Sequence, residues 1–260
     1  MGDMQDAPFL KRIYVVPERV RPSEGFPYDL PFVRDLDLSF KRAVTYLVGE
    51  NGSGKSTLIE AIAEACGLPV SGGGRNEAAA RHGPEQHSAL GTALRPSFSR
   101  RPKDGYFFRA EFQSHFASLL DERHKDPDFL GDPYSRYGGR PLHSQSHGQA
   151  FLAVLLNRVR SGVIVMDEPE SALSPQRQLA LLSRMSELVA AGRTQFIIAT
   201  HSPVLLTFPE ADIISLDDIP MRSVKLEDTS HYQITRGILE APERYWRLLR
   251  NEAVKDDGPA

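Results

Sequence analysis

The residues with the most chemistry in them run from position 49 to position 57. Gly49-Glu50-Asn51-Gly52-Ser53-Gly54-Lys55-Ser56 fits the pattern G-x-x-x-x-G-K-[ST], and Thr57 follows it. A chain of phosphates needs many N–H donors turned inward, and glycines let a backbone curl tightly enough to supply them. Gly49, Asn51, Gly52, Ser53, Gly54 and Thr57 are therefore candidate loop residues, with Lys55 able to reach the β and γ phosphates and Ser56 able to offer its hydroxyl to Mg2+. A second group follows the apolar run Val163-Ile164-Val165-Met166, which ends in Asp167-Glu168. Two adjacent carboxylates could divide the work, Asp167 holding Mg2+ through water and Glu168 polarising an attacking water as general base. His201, after Phe196-Ile197-Ile198-Ala199-Thr200, could touch a terminal phosphate and sense its loss. Ser146-His147-Gly148-Gln149 stands before an apolar-faced segment. A serine and a glycine at a helix start could form a second anion site, and Ser146 by itself could simply cap the helix.

Each group needs an element to aim it. Ala43–Val48 is a short apolar strand running into Gly49, and Ser56–Cys66 has helical spacing with Leu58, Ile62 and Ala65 on one face. Val163–Met166 and Gln195–Ala199 are continuous apolar runs, the pattern of strands buried on both faces. Helices are predicted over Phe112–Arg123, Gly148–Arg160, Pro175–Ala191 and Pro242–Val254. Further strands are predicted at Ile13–Val20, Leu36–Phe40, Gly105–Arg109, Ile213–Leu216 and near Val224 and Ile234. Buried strands alternating with helices imply an α/β fold, a mostly parallel sheet with helices on both sides. Acids and phosphate loops then fall at the C-terminal strand ends, where open α/β sheets bind ligands. Residues from about 67 to 103 have no regular periodicity, contain Gly72-Gly73-Gly74 and several prolines, and read as a flexible insert.

The bulk properties exclude several classes. At 260 residues, 40% hydrophobic and 25% charged, the chain can bury a proper core. A net charge of −3 gives no general attraction to nucleic acid or anionic lipid. The single cysteine, Cys66, rules out an internal disulfide and suits a reducing, cytoplasmic setting. No apolar run is long enough to span a membrane, so membrane insertion is not expected.

Taken in order, these pieces resemble the ATP-binding-cassette (ABC) type P-loop ATPases. Residues 49–56 resemble the Walker A loop, 146–149 the signature sequence, 163–168 the Walker B strand, Ser171-Ala172-Leu173-Ser174 the D-loop, and His201 the switch histidine. The signature departs from the family, since Gln145 stands where Leu is usual and His147 replaces the first Gly. The Q-loop position is open between Gln113 and Glu111, and the adenine-stacking aromatic between Phe26 and Tyr28.

The resemblance implies one P-loop NTPase domain over 1–260, with an antiparallel β edge and a small helical lid at about 112–160. It implies ATP and Mg2+ as ligands, Lys55, Glu168 and His201 as catalytic residues, and a head-to-tail homodimer. In that dimer Ser146, Gly148 and Gln149 of one copy complete the other's site. Asp167-Glu168-Pro169-Glu170 and Thr200-His201-Ser202-Pro203 are more similar to the soluble RecF-like, OLD-like and AAA-type members than to transporter subunits. The leading expectation is a cytosolic, ATP-driven dimer switch whose dimerisation controls a partner or nucleic acid. A transporter's ATP-binding subunit and a nucleotide-binding module without turnover are the alternatives. Arg95, Arg100, Arg101, Lys103 and Arg109, interleaved with Phe98 and Tyr106-Phe107-Phe108, could contact nucleic acid, but read better as a solvated basic loop beside a buried aromatic strand.

Overall fold

The computed structural model describes residues 7–75, 87–109, 120–121, 124–126, 131–141 and 144–250. Two sheets form. The small one is antiparallel, with β1 (Leu10–Val15) between β2 (Asp37–Ser39) and β5 (Leu94–Phe98). The large one has seven strands in the order β10-β9-β3-β8-β7-β6-β4. These are β3 (Val44–Val48), β4 (Gly73–Gly74), β6 (Gly105–Arg109), β7 (Gly162–Asp167), β8 (Thr194–Ala199), β9 (Asp212–Ser215) and β10 (Arg222–Val224). β9, β3, β8, β7 and β6 run parallel, while the two edge strands β10 and β4 are antiparallel. This is the mostly parallel P-loop arrangement with antiparallel portions that the sequence predicts.

Alternation along each strand explains why the sheet is covered twice. Val44, Tyr46, Val48, Ile164, Met166, Phe196 and Ile198 point to one face. There they pack with Phe151, Val154 and Leu155 of α3 (His147–Asn157) and Leu181, Met185 and Leu188 of α4 (Pro175–Ala190). Leu47, Val163, Val165, Ile197 and Ala199 point to the other face, against Leu58, Ile59 and Ile62 of α1 (Lys55–Ala65) and the small sheet. Each fully buried aliphatic side chain contributes about 1.5–3 kcal/mol, so neither face can be left wet. Gln195 joins the two sheets. Its Oε1 accepts from the N–H groups of Phe9 (2.8 Å) and Leu10 (2.9 Å), and its Nε2 donates to Leu10 O at 3.0 Å.

Several local expectations are corrected. The first strand stops at Val15, because Pro17 opens a 3-10 turn at Pro17–Arg19. The insert is not all loop: α2 (Ala89–Ala93) and β5 take regular structure, with Leu94 and Leu90 in the core beside α1. Residues 76–86 lie outside the described residues. Ile234 is helical, within α5 (Ser230–Glu240), which is capped by Thr229 and supported by an Arg236–Glu240 pair one turn apart. The last helix, α6, spans Pro242–Leu249, and residues 251–254 of the predicted helix lie outside the described residues. Most of the predicted Phe112–Arg123 helix lies outside the described residues.

Candidate active site

The sheet order builds the site. β8 lies between β3 and β7, with Ala199 registered against both Leu47 and Asp167. The C-terminal ends of β3, β8 and β7 therefore stand side by side. They carry the 49–54 loop, Thr200-His201 and Asp167-Glu168 respectively.

The loop is curled as a phosphate cradle requires. Gly52 and Gly54 have φ of 85° and 93°, the left-handed region that other residues avoid. A Cβ on Gly54 would come within 2.7 Å of the Phe32 ring, so packing also demands glycine there. Lys55 is 4% exposed. Its Nζ donates to Gly49 O at 2.7 Å and Glu50 O at 2.9 Å. Burial holds its pKa below the ordinary lysine value, against the opposing charges of Glu168, Asp217, Asp167 and Glu50. Ser53 Oγ is buried with no hydrogen-bond partner in the protein. A buried, unanswered hydroxyl and a buried ammonium satisfied only by loop carbonyls fit an incoming phosphate chain. Asn51 and Gly52 are exposed at the loop tip, and Ser56 and Thr57 are half-buried in the first turn of α1.

The acids lie where a divalent ion would be shared. Ser56 Oγ donates to Asp167 Oδ1 at 3.2 Å. The Asp167 carboxyl is pushed up to about 6 by burial, opposed by the Ser56 hydroxyl and Arg109 and reinforced by Glu168 and Glu60. Between about pH 4 and 6 the folded chain keeps a proton there that the unfolded chain releases, so stability falls as pH rises through that window. Above it, the ionised, buried carboxylate destabilises the protein until a cation answers it. Asp167→Asn should raise ligand-free stability at pH 7.5 by about 1–3 kcal/mol. The gain should vanish below pH 4, and the extra stabilisation that Mg2+ gives over ATP alone should be lost. Thermal unfolding from pH 3.5 to 8, with and without Mg2+ and ATP, checks all three.

Glu168 occupies a strained backbone position, φ 45° and ψ 57°. A non-glycine residue in the left-handed region costs about 1–3 kcal/mol and persists only where neighbours over-determine it. Here Glu168 N–H donates to Ala199 O at 3.0 Å, and its carbonyl accepts from both Ser171 N (3.0 Å) and Ser171 Oγ (2.7 Å). Glu168 Oε1 lies 3.3 Å from His201 Nε2. Burial, Lys55 and His231 lower the pKa of His201, with Glu168 opposing them.

Three further residues support the site, and the motif pattern pointed to none of them. Glu170 is half-buried, with its pKa raised chiefly by desolvation, and its Oε1 accepts the His201 N–H at 2.6 Å. Asp217 Oδ1 accepts the Glu50 N–H at 2.9 Å. His231 Nε2 lies 2.7 Å from His201 Nδ1. Glu170 was visible within the acidic run after β7, whereas Asp217 and His231 come from the C-terminal region, whose spacing carries no signal.

The signature-like residues sit elsewhere. Ser146 is the N-cap of α3; its N–H donates to Gln149 Oε1 at 2.9 Å, one arm of a capping box. Ser146 Oγ accepts from Arg177 Nη1 at 3.0 Å. Gly148 is pressed so close to Ala172 O that a Cβ would come within 2.6 Å. These contacts tie the start of α3 to the segment after β7, and Gln149 acts as a cap within the chain. Tyr28 is buried, with its hydroxyl bonded to Ala89 O at 3.1 Å, whereas Phe26 is 68% exposed. Gln113 and Glu111 lie outside the described residues.

Comparison with known families agrees with this geometry. A family model described as an AAA domain, putative AbiEii toxin of a type IV toxin–antitoxin system, matches residues 87–207, and a second AAA domain model matches residues 28–117. The first takes in the Walker B strand and His201, the second the phosphate loop. Between them the two AAA-domain models take in residues 28–207, and the chain has a P-loop ATPase fold. No curated protein matches it. Among solved structures, this chain is similar to a putative metal-chelate type ABC transporter in an inward-facing conformation. The identity is 18% over 76% of this chain and 79% of that one, with a TM-score of 0.47. It is also similar to the SMC head domain from Thermotoga maritima, at 15% identity over 84% and 99%, with a TM-score of 0.44. A third is cbiO1 from Clostridium perfringens, part of the ABC transporter complex cbiONQ, at 18% over 83% and 90%, with a TM-score of 0.42. Among the described residues, no helix is long and apolar enough to cross a membrane.

Proposed function

We propose that this chain binds Mg-ATP, hydrolyses it to ADP and phosphate, and works in the cytosol as an ATP-driven homodimer switch. The observation that carries the reading is the meeting of Ser56 with Asp167 at 3.2 Å beside Glu168 and His201 at 3.3 Å, all at the mouth of the glycine loop. Lys55 would exchange its two loop carbonyls for phosphate oxygens, a trade of neutral hydrogen bonds for charge-assisted ones. Ser56 and Asp167 would hold Mg2+, which supplies charge neutralisation at the phosphate oxygens when bound. Glu168 takes the proton from the water that attacks the γ phosphorus as the bond to the β-phosphate oxygen breaks. His201 donates towards the terminal phosphate and loses that contact once phosphate leaves. Phe26, exposed upstream of the loop, is assigned the adenine platform in preference to the buried Tyr28.

The dimer half of the reading rests on α3. Ser146 and Gln149 are exposed at its start, where the first N–H groups of a helix favour an anion. They are assigned to the ATP of a second copy, with residues of about 112–160 as the lid. Light scattering tests this directly. Glu168→Gln with Mg-ATP should double in mass, and the same protein with ADP should not. Adding Ser146→Arg should keep it monomeric. A mass that ignores nucleotide would remove the switch, and a wild-type protein that releases no phosphate from ATP would remove the enzyme.

A further inference from the structure

The first turn of α5 lies against the nucleotide site. Ser230 Oγ donates to Glu50 Oε1 in the phosphate loop at 3.2 Å. His231 Nε2 is 2.7 Å from His201 Nδ1, with the rings edge-on at 60° and their centroids 4.7 Å apart. The turn is held from behind. Thr229 Oγ1 accepts from Tyr232 N at 3.3 Å and donates to Leu226 O at 2.7 Å, and Thr229 itself is buried. His231 is thus a half-buried side chain on a fixed helix start.

Two imidazole nitrogens at 2.7 Å share one proton: one ring donates and the other accepts. The other nitrogen of His201 biases which. Nε2 lies 3.3 Å from Glu168 Oε1 without the alignment of a hydrogen bond, and the carboxylate beside it favours a proton on that nitrogen without fixing it there. A neutral His201 is therefore biased towards a proton on Nε2, and the bond at its other nitrogen completes the choice. Nδ1 is left as the acceptor, and the donor between the rings is His231 Nε2–H. The imidazole is oriented by a hydrogen bond at the nitrogen remote from the reaction, the logic by which outer partners fix a histidine's tautomer elsewhere.

We propose, building on the ATPase reading above, that His231 is a positioning residue that locks the tautomer and ring orientation of His201, keeping Nε2–H aimed at Glu168 and the terminal phosphate. Histidine is used here where a hydrophobic contact would have packed the ring but left both tautomers open.

The test separates this role from packing and from the enzyme reading. Long-range 1H–15N spectra of 15N-histidine-labelled protein report each ring's tautomer, with the His201 signals assigned by their loss in His201→Gln. Wild type should show His201 with a bare Nδ1 and a protonated Nε2, and His231→Phe should show a mixture. In ATP hydrolysis, His231→Phe should lower kcat about 10-fold with KM for ATP within about twofold. His231→Gln, whose amide can present an N–H in the same region, should recover most of that loss. Both variants should melt within about 2 °C of wild type. A protonated Nδ1 on His201 in the wild type overturns the proposal, as does a His231→Phe protein that turns over normally or a His231→Gln protein no better than it. If no form hydrolyses ATP, the enzyme reading fails on its own, and the spectra still decide the role of His231.

Discussion

Glu168→Gln should lower kcat for ATP hydrolysis by about 10²–10⁴-fold, the usual contribution of a positioned general base, and leave ATP affinity within a few-fold of wild type. The substitution keeps the side chain's size and leaves an amide oxygen able to stand beside His201. What it removes is the basic carboxylate. It does not relieve the left-handed backbone at position 168, whose φ of 45° is enforced by a bond to Ala199 O and bonds from Ser171. The fold should therefore be undisturbed, with a melting temperature close to wild type. Single-turnover and steady-state phosphate release, set beside equilibrium nucleotide binding, check the split. Equal losses in kcat and affinity would mean that Glu168 serves binding and that another group handles the proton.

The second large effect concerns Lys55. Lys55→Ala should weaken ATP binding on the order of 100-fold or more, because a desolvated cation facing phosphate oxygens is worth several kcal/mol. ATP-dependent thermal stabilisation should disappear with it, whereas Glu168→Gln should keep that stabilisation. The contrast is the informative measurement: a binding defect at position 55, a turnover defect at position 168. Without nucleotide, Lys55→Ala should cost little. It loses hydrogen bonds to Gly49 O and Glu50 O, but it also removes an ammonium that is 4% exposed and carries a desolvation penalty. Lys55→Arg should not rescue, because the forked guanidinium is bulkier than the single ammonium the loop encloses. Calorimetric titration with ATP measures both variants. Near-normal affinity in Lys55→Ala would mean that the loop is not the phosphate site.

The dominant strands were legible because they carry redundant signals. Val163–Met166 and Phe196–Ala199, the apolar part of the Gln195–Ala199 strand, are apolar on both faces, and their alternation assigns each side chain to the α1 side or to the side of α3 and α4. Weaker elements were misread where local and tertiary preferences conflict. β5 contains Pro96 and follows a glycine-rich stretch, so its composition argues against a strand. It forms at the edge of a three-stranded sheet, where pairing with β1 supplies what propensity withholds. Ile234 and its threonine neighbour suggest a strand, but the Thr229 cap and the Arg236–Glu240 pair favour a helix.

The candidate site divides in the same way. The types and spacing of Gly49–Thr57, Asp167, Glu168 and His201 were sufficient to propose a phosphate loop, a metal-holding acid, a base and a phosphate contact, because each chemistry demands a particular side chain beside a strand end. Which of those strands are neighbours is a long-range property. The insertion of β8 between β3 and β7 is what brings positions about a hundred residues apart to hydrogen-bonding distance. Asp217 and His231 were hidden for the same reason. A carboxylate on a backbone N–H, or an imidazole against an imidazole, leaves no periodic trace in a chain. Hydrophobic period and glycine chemistry are local and survive in one dimension; the mutual aim of distant side chains is decided only when burial forces the chain to close around them.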